Sequence, residues 1–582
     1  MSRLRWAWAP AAGGLLLAAL YLLTARGLPI GALQDDATHI ILAQSLRHGG
    51  LSLPDAFGGH PATDPMPGFA FLLAVPAWLA APRWDLLKIV SLAAAAAALF
   101  FFRRLAARAL GRGGGDCAAV LLALNPCFVA HAGFVVPDML FVAFALWLCD
   151  SLRTADSAQG LAKLATLAAF ASLLRPLGLV LPLFMGAALA RLQGPRRAAV
   201  FMAAALAPLA AWLARNHLLA GSVTRYMDHA IAQVARLGEP GAMARHAAAL
   251  LASFFGDGLL SLGHAPFAVQ ALLGATALIL AGLGARRLMR SPEAPAAFVL
   301  AGSAAAWLCA HLDWVAVEPR YALPLLPASW MFIVAGATPF LRCRAARAGA
   351  LAALLAPALL GDLALARAGW RGPAHFQPRT MSWIRSRTPR TAVVESLQCH
   401  VVILWTGRRS HVPHLDAANR DEWLAFALRG GADYLHTVDT FPATEGLVSA
   451  KAGRLAPRLC AWAGASAFAA LVYRDPEEGT AVYRIRHPAP ARFLAAWKEY
   501  EAAGTAFRSG RGPEEVRRRL RMAVAQEPSL AHAWAALALF EESPSQRRAD
   551  LRHACAADPR DQELRELLAA ELHHTVQDRP AS

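Results

Sequence analysis

Over the first two thirds of the chain, apolar positions run together in long stretches, and polar residues are confined to the short breaks between them. Residues 6–25, 84–102, 116–136, 139–152, 160–175, 177–191, 198–214, 265–285, 295–311, 322–340 and 348–367 each read as an apolar helix. Because roughly 20 such residues cross a bilayer core, the pattern predicts a polytopic bundle of about eleven spans. One more apolar segment, GFAFLLAVPAWLA at 68–80, is short and is broken or flanked by Pro67, Pro76 and Pro82. It reads as a re-entrant or interfacial helix within a first loop covering 26–83.

Beyond about residue 368 no run is long enough to cross. Short β-rich runs (TAVVES, HVVILWTG, ALVYRD, TAVYRIR) there alternate with a helical pattern, DEWLAFALRGG, which predicts a small α/β domain at 368–488. The stretch 489–582 is helical and repeats: Leu520, Ala523, Pro528 and Leu537 recur as Leu551, Ala554, Pro559 and Leu568. Its phrase EPSLAHAWAALA resembles a tetratricopeptide repeat, although the period is shorter than about 34 residues; a plain helical hairpin fits equally well. The fold class expected is mainly α: a membrane bundle at 1–367, the α/β domain, and a helical tail that offers a surface to a protein partner.

With 57% hydrophobic and only 17% charged residues among 582, the composition is that of an integral membrane protein. Basic residues gather between alternate runs: Arg3 and Arg5, then Arg103, Arg104, Arg108 and Arg112, then Arg191, Arg196 and Arg197, then Arg286, Arg287 and Arg290, then Arg342, Arg344 and Arg347. Such residues stay on the cytoplasmic side in short loops, so the N-terminus is expected inside and the domain after residue 368 on the exported side. The first run lacks a cleavage site and reads as a retained helix. A net charge of +17 is largely accounted for by these loops and does not indicate nucleic acid. The eight cysteines show no CxxC and no zinc spacing; Cys399 and Cys460 fall in the exported α/β domain, where a disulfide is chemically permitted.

The candidate chemistry starts with GALQDDATHI at 31–40. Asp35 and Asp36 open an amphipathic stretch on the exported side, and His39 follows Asp35 by one helical turn. One acid suffices to cap a helix and satisfy its dipole. The second is free to accept a proton from a hydroxyl nucleophile. Asp138 in FVVPDMLF, Arg175 in LLRPLG, Arg215 in LARNHLLAG and Arg320 in VEPRYALPLLP are expected near the same membrane face. Acids beside arginines there describe a site for a lipid-linked anion, with guanidinium groups on phosphate and an aspartate activating the acceptor.

These segments, in the order QDDATHI, TDPMPGF, NPCFVAHAGFVVPDMLF, LLRPLG, LARNHLLAG, PRYALPLLP, MSWIRSRTP and LWTGRRSH, resemble the GT-C superfamily of membrane glycosyltransferases. More narrowly, they resemble the family 39 protein-mannosyltransferase and aminoarabinose-transferase-like group, across roughly residues 6–488. The resemblance implies a bacterial cell-membrane enzyme that takes a sugar from a polyprenyl phosphate and gives it to a lipid, glycan or protein acceptor on the exported face. It implies Asp35 as catalytic base with Asp36 beside it, Asp138 as second acid, and Arg320 as a phosphate partner, to which the charge pattern above adds Arg175 and Arg215. His39, His60, Asp64 and Tyr321 are candidates for lining the site. Asp64 departs from the pattern, because the aminoarabinose branch carries a phosphate-binding lysine there. Arg408, Arg409, His411 and His414 of TGRRSH and its neighbours are read as loop residues facing an acceptor. No cofactor is implied; a metal-dependent oligosaccharide transferase would want a fuller carboxylate set. The alternatives are a transporter or flippase of lipid-linked sugars, which more often shows internal repeats, and a non-catalytic scaffold working through the tail.

Overall fold

The computed structural model describes residues 2–53, 60–63, 65–221, 240–260, 266–312, 319–341, 343–371, 376–439 and 447–577. They form two compact units, one essentially up to Phe376 and one from Gln377 onward.

The first unit is helical. Its elements begin with α1 (Ser2–Gly27), α2 (Asp35–Ser45), α3 (Pro67–Ala80), α4 (Lys88–Ala123), α5 (Pro126–Ala132), α6 (Pro137–Ser151), α7 (Ala158–Leu174), α8 (Val180–Gln193) and α9 (Pro195–Ala220). They continue with helices at Pro240–Leu251, Phe267–Leu288, Ala294–Leu312, Leu326–Ala337 and Arg344–Trp370. Each apolar run picked out above is helical over most of its length among the described residues, the run 116–136 being divided between α4 and α5. Among the described residues, six helices are long and apolar enough to cross a membrane alone, and α5 with α6 makes a seventh bent by 111°. Helix α4 continues through Gly111, whose φ of 75° breaks it into two arms, so two expected spans fold back as a hairpin. Helix α3, at 14 residues, is about 21 Å long and falls short of a ~30 Å hydrocarbon core. It packs instead on α2 and α7, as a non-crossing segment should. The Pro240–Leu251 helix and the wide turn Ala252–Leu259 after it had no counterpart among the predicted elements.

Where helices cross closely, the residue is glycine. A Cβ on Gly284 would strike the Phe332 carbonyl, and one on Gly336 would strike that of Leu280. Gly27 and Gly369 meet in the same manner between α1 and Arg344–Trp370.

In the second unit, five strands lie in the order β4-β3-β5-β7-β6. Strands β3 (Val393–Ser396), β4 (Arg409–His411) and β5 (Tyr434–Val438) are parallel, while β7 (Thr480–Ile485) and β6 (Ala469–Asp475) continue antiparallel. The tail adds helices Pro490–Arg508, Pro513–Gln526, Ala531–Phe540, Pro544–Ala557 and Gln562–Gln577, each packed on the next. Phe493, Trp497, Leu520 and Leu537 share one core with Trp423, Leu435 and Leu459, so no break in packing falls near 488. Arg420 fixes the same joint, 3.2 Å from Asp558. Cys399 and Cys460 are not joined in a disulfide.

The TGRRSH reading needs correction. Arg408 is buried and donates to Thr388 Oγ1, Thr406 O, Arg385 O and Thr388 O, closing off the backbone carbonyls around it. Arg409–His411 is strand β4, His411 is buried against Phe426, and His414 stacks on the same ring. The Arg408 and His411 side chains thus build the domain, while Arg409 is exposed and His414 is half-buried.

Alanine is a better helix former than glycine by about 1 kcal/mol. The close crossings should reverse that sign: Gly284→Ala or Gly336→Ala should lower stability by roughly 1–3 kcal/mol through overpacking. Thermal unfolding in detergent reads this directly, and a raised melting temperature would show that the helices do not cross there.

Candidate active site

Gln34, at φ 57°, turns the chain into α2 and offers no side-chain cap. The two aspartates then divide the work. Asp36 is fully buried, its Oδ2 accepting from Gly31 N and its Oδ1 from Ala37 N, both at 2.8 Å. Burial pushes its carboxyl up to about 6, against the pull of those two amides and with help from the charge of Asp35. It ties the turn to the helix and is wholly shielded from solvent. Asp35, with a side chain 52% exposed, reaches across to Arg320, whose Nη1 lies 2.7 Å from its Oδ2. Burial raises its carboxyl, but Arg320 outweighs this and holds it below the usual range. Asp35 is thus the ionised and accessible member of the pair.

Around it stands a wall of aromatics and charge. Asp138, in the first turn of α6, is buried and ion-paired with Arg175, the extended residue between α7 and the turn Pro176–Leu179. The Arg175 guanidinium lies 5.5 Å from the Trp307 ring centre and 5.8 Å from that of Tyr321. Tyr321 accepts at its hydroxyl from Arg320 Nη2 (3.2 Å) and at its carbonyl from Trp307 Nε1 (2.9 Å). His311 packs at 5.0 Å from Tyr321 and 5.2 Å from Trp307. His39 is buried edge-on to Phe69 at 5.2 Å. Burial pulls its imidazole down to about 4 despite the charges of Asp35 and Asp138, so it is a neutral wall at pH 7.

Asp35, His39, Asp138, Arg175, Arg320 and Tyr321 therefore come together from four places in the chain: α2, the start of α6, the end of α7 and the turn Pro319–Ala322. Arg215 does not join them. It donates to the Ala62 carbonyl (3.1 Å) and covers Trp212, while Asn216 donates to Thr63 O (2.9 Å), so α9 pins the backbone of the first loop. His60 lies in the two-residue strand β2 (His60–Pro61), paired with β1 (Ser52–Leu53). Asp64 lies outside the described residues. Among those described, no group of three His, Cys, Asp or Glu is gathered as a metal site. Trp307 and His311, which sequence reasoning missed, sit in an ordinary apolar span; an aromatic and a histidine four residues apart at its end were the only signal.

No family model and no curated protein matches the sequence. Solved structures do. ArnT from Cupriavidus metallidurans in the apo state is similar with a TM-score of 0.53 at 11% identity, over 83% of this chain and 98% of that one. The same protein bound to undecaprenyl phosphate gives 0.54 at 11% identity, over 82% and 98%. The Archaeoglobus fulgidus oligosaccharyltransferase tethered with an acceptor peptide gives 0.51 at 13% identity, over 82% and 74%. The fold is shared with ArnT and with this oligosaccharyltransferase. At these identities the likeness is one of fold, and with the apolar helices it makes this chain an integral membrane protein.

Two outcomes follow for the site. Arg175→Ala leaves the Asp138 carboxylate buried without its partner, a change that costs about 3–5 kcal/mol; it should show as a sharp fall in melting temperature. His39 is lowered in the fold, so the unfolded chain takes its proton first, and stability is lost as pH falls from about 6.5 toward about 4. His39→Phe keeps the ring against Phe69 and should remove about 2 kcal/mol of the loss between pH 7 and pH 5. An unchanged pH profile of thermal unfolding would mean that His39 takes up its proton in the fold as it does in the unfolded chain.

Proposed function

We propose that this protein transfers a glycosyl group from a polyprenyl-phosphate donor to an acceptor hydroxyl on the exported face of the membrane, with Asp35 as general base. The observation that carries this is the Asp35–Arg320 pair: an accessible carboxylate, kept ionised, 2.7 Å from a guanidinium that is itself only 14% exposed. The Asp35 oxygens take the proton as the acceptor oxygen attacks the anomeric carbon and the bond from that carbon to the phosphate oxygen breaks. The departing phosphate carries its own negative charge and needs no proton; Arg320 stabilises it, and Arg175 adds positive potential from behind. Asp138 holds Arg175, and Asp36 holds the turn. The likeness to a protein solved with undecaprenyl phosphate supports the donor class. The sugar and the acceptor are left open by these residues.

Transfer of radiolabelled sugar from a polyprenyl-phosphate pool, in membranes matched for protein level, tests this. Asp35→Asn should lower the rate by about 10²–10⁴ with the melting temperature kept. Arg320→Ala should lose rate and donor affinity together. Full transfer by Asp35→Asn would remove it as base; no transfer by the unaltered protein with donor lipids and acceptors supplied would end the glycosyltransferase reading.

A further inference from the structure

The α/β unit contains a cleft that the proposed transfer does not use. It lies between the segment 415–418 and the helix Leu447–Ala465, and measures about 460 Å³, within the range of small-molecule sites. Lys451, Arg454 and Arg458 follow one another along one face of that helix and line one side; Leu415 and Asp416 line the other, with Leu455 at the base. Asp416 neutralises Lys451, at 2.6 Å. Arg458 is held in place by the Ala418 carbonyl and by the Trp462 ring, 4.6 Å away. Arg454 makes no ion pair among the described residues. Two guanidinium charges thus converge on a concave, partly apolar space, and among the described residues neither is ion-paired to a carboxylate.

We propose that this cleft binds a phosphate or carboxylate group carried on a molecule of about monosaccharide size. The guanidinium groups supply the paired donors that such anions accept. The volume exceeds what a bare anion fills, and Leu415 and Leu455 offer an apolar wall to the face of a ring. The binding stands apart from the glycosyl-transfer reading and survives its failure.

The chain has only four lysines, Lys88, Lys163, Lys451 and Lys498, so acylation of the full-length protein in detergent, followed by mass spectrometry, reports the cleft through Lys451. Glucose 6-phosphate and glucuronate are the probes, glucose and inorganic phosphate the controls, and the exposed Lys498 the internal reference. At ten times the dissociation constant, a bound probe should slow acylation of Lys451 roughly tenfold and leave Lys498 unaffected. The Arg454→Ala/Arg458→Ala double variant should abolish the slowing. Arg454→Gln alone, at an exposed position, weakens it and stands in should the double variant fail to fold. No slowing by either anion, equal slowing by glucose, or protection that persists in the variants would overturn the site. Equal protection by inorganic phosphate would overturn the assignment of a sugar-sized ligand.

Discussion

A carboxylate placed at the dry end of a helix bundle has to be matched by a cation held in fixed geometry, and the Asp138–Arg175 pair meets that requirement for this fold. It joins the start of α6 to the joint between α7 and α8. From Arg175 the constraint passes on: the guanidinium lies against Trp307 and Tyr321, Trp307 bonds the Tyr321 carbonyl, and the neighbouring Arg320 is thereby aimed at Asp35. Two residues separated by 285 positions in sequence meet at 2.7 Å through this relay of contacts. Nothing in α2 alone would hold Asp35 there.

Adjacent identical side chains rarely share one environment, and the Asp35–Asp36 pair illustrates why. At the start of α2 one position points into the turn and the other outward. The inward carboxylate of Asp36 is met by backbone amides, which soften the cost of its burial without cancelling it. Burial lifts the carboxyl of Asp36, whereas the Arg320 guanidinium lowers that of Asp35.

The membrane helices were legible because lipid leaves no choice: each backbone polar group must be satisfied within its own segment, and side chains must be apolar. The α3 segment was legible for the same reason, by being too short to cross. What could not be read were positions whose meaning depends on a distant partner. Asp36 and Asp35 are indistinguishable as letters, and Arg408 looks as available as any arginine until the carbonyls of Arg385, Thr388 and Thr406 close around it. Arg215 likewise resembled a phosphate ligand in its setting at the end of an apolar run, yet its donors go to a loop carbonyl. The tail's repeat was visible as periodicity, whereas its fusion to the sheet through Phe493 and Trp497 was not, since apolar residues do not name the surface they cover.

The pairing of Asp35 with Arg320 also bears on how the proposed reaction avoids idling. While Arg320 is on Asp35, the carboxylate is a weak base, because the guanidinium stabilises its charged form. A donor phosphate competes for the same guanidinium with more charge and more acceptor oxygens. Once Arg320 turns to the phosphate, Asp35 loses its partner and becomes the stronger base just when an anomeric carbon lies within reach. The buried Asp138–Arg175 pair keeps its own partner through this exchange, so the potential around the site changes at one contact only. Substrate arrival then switches on the base without any movement of helices, and an empty site holds its carboxylate in a form too weak to deprotonate a hydroxyl.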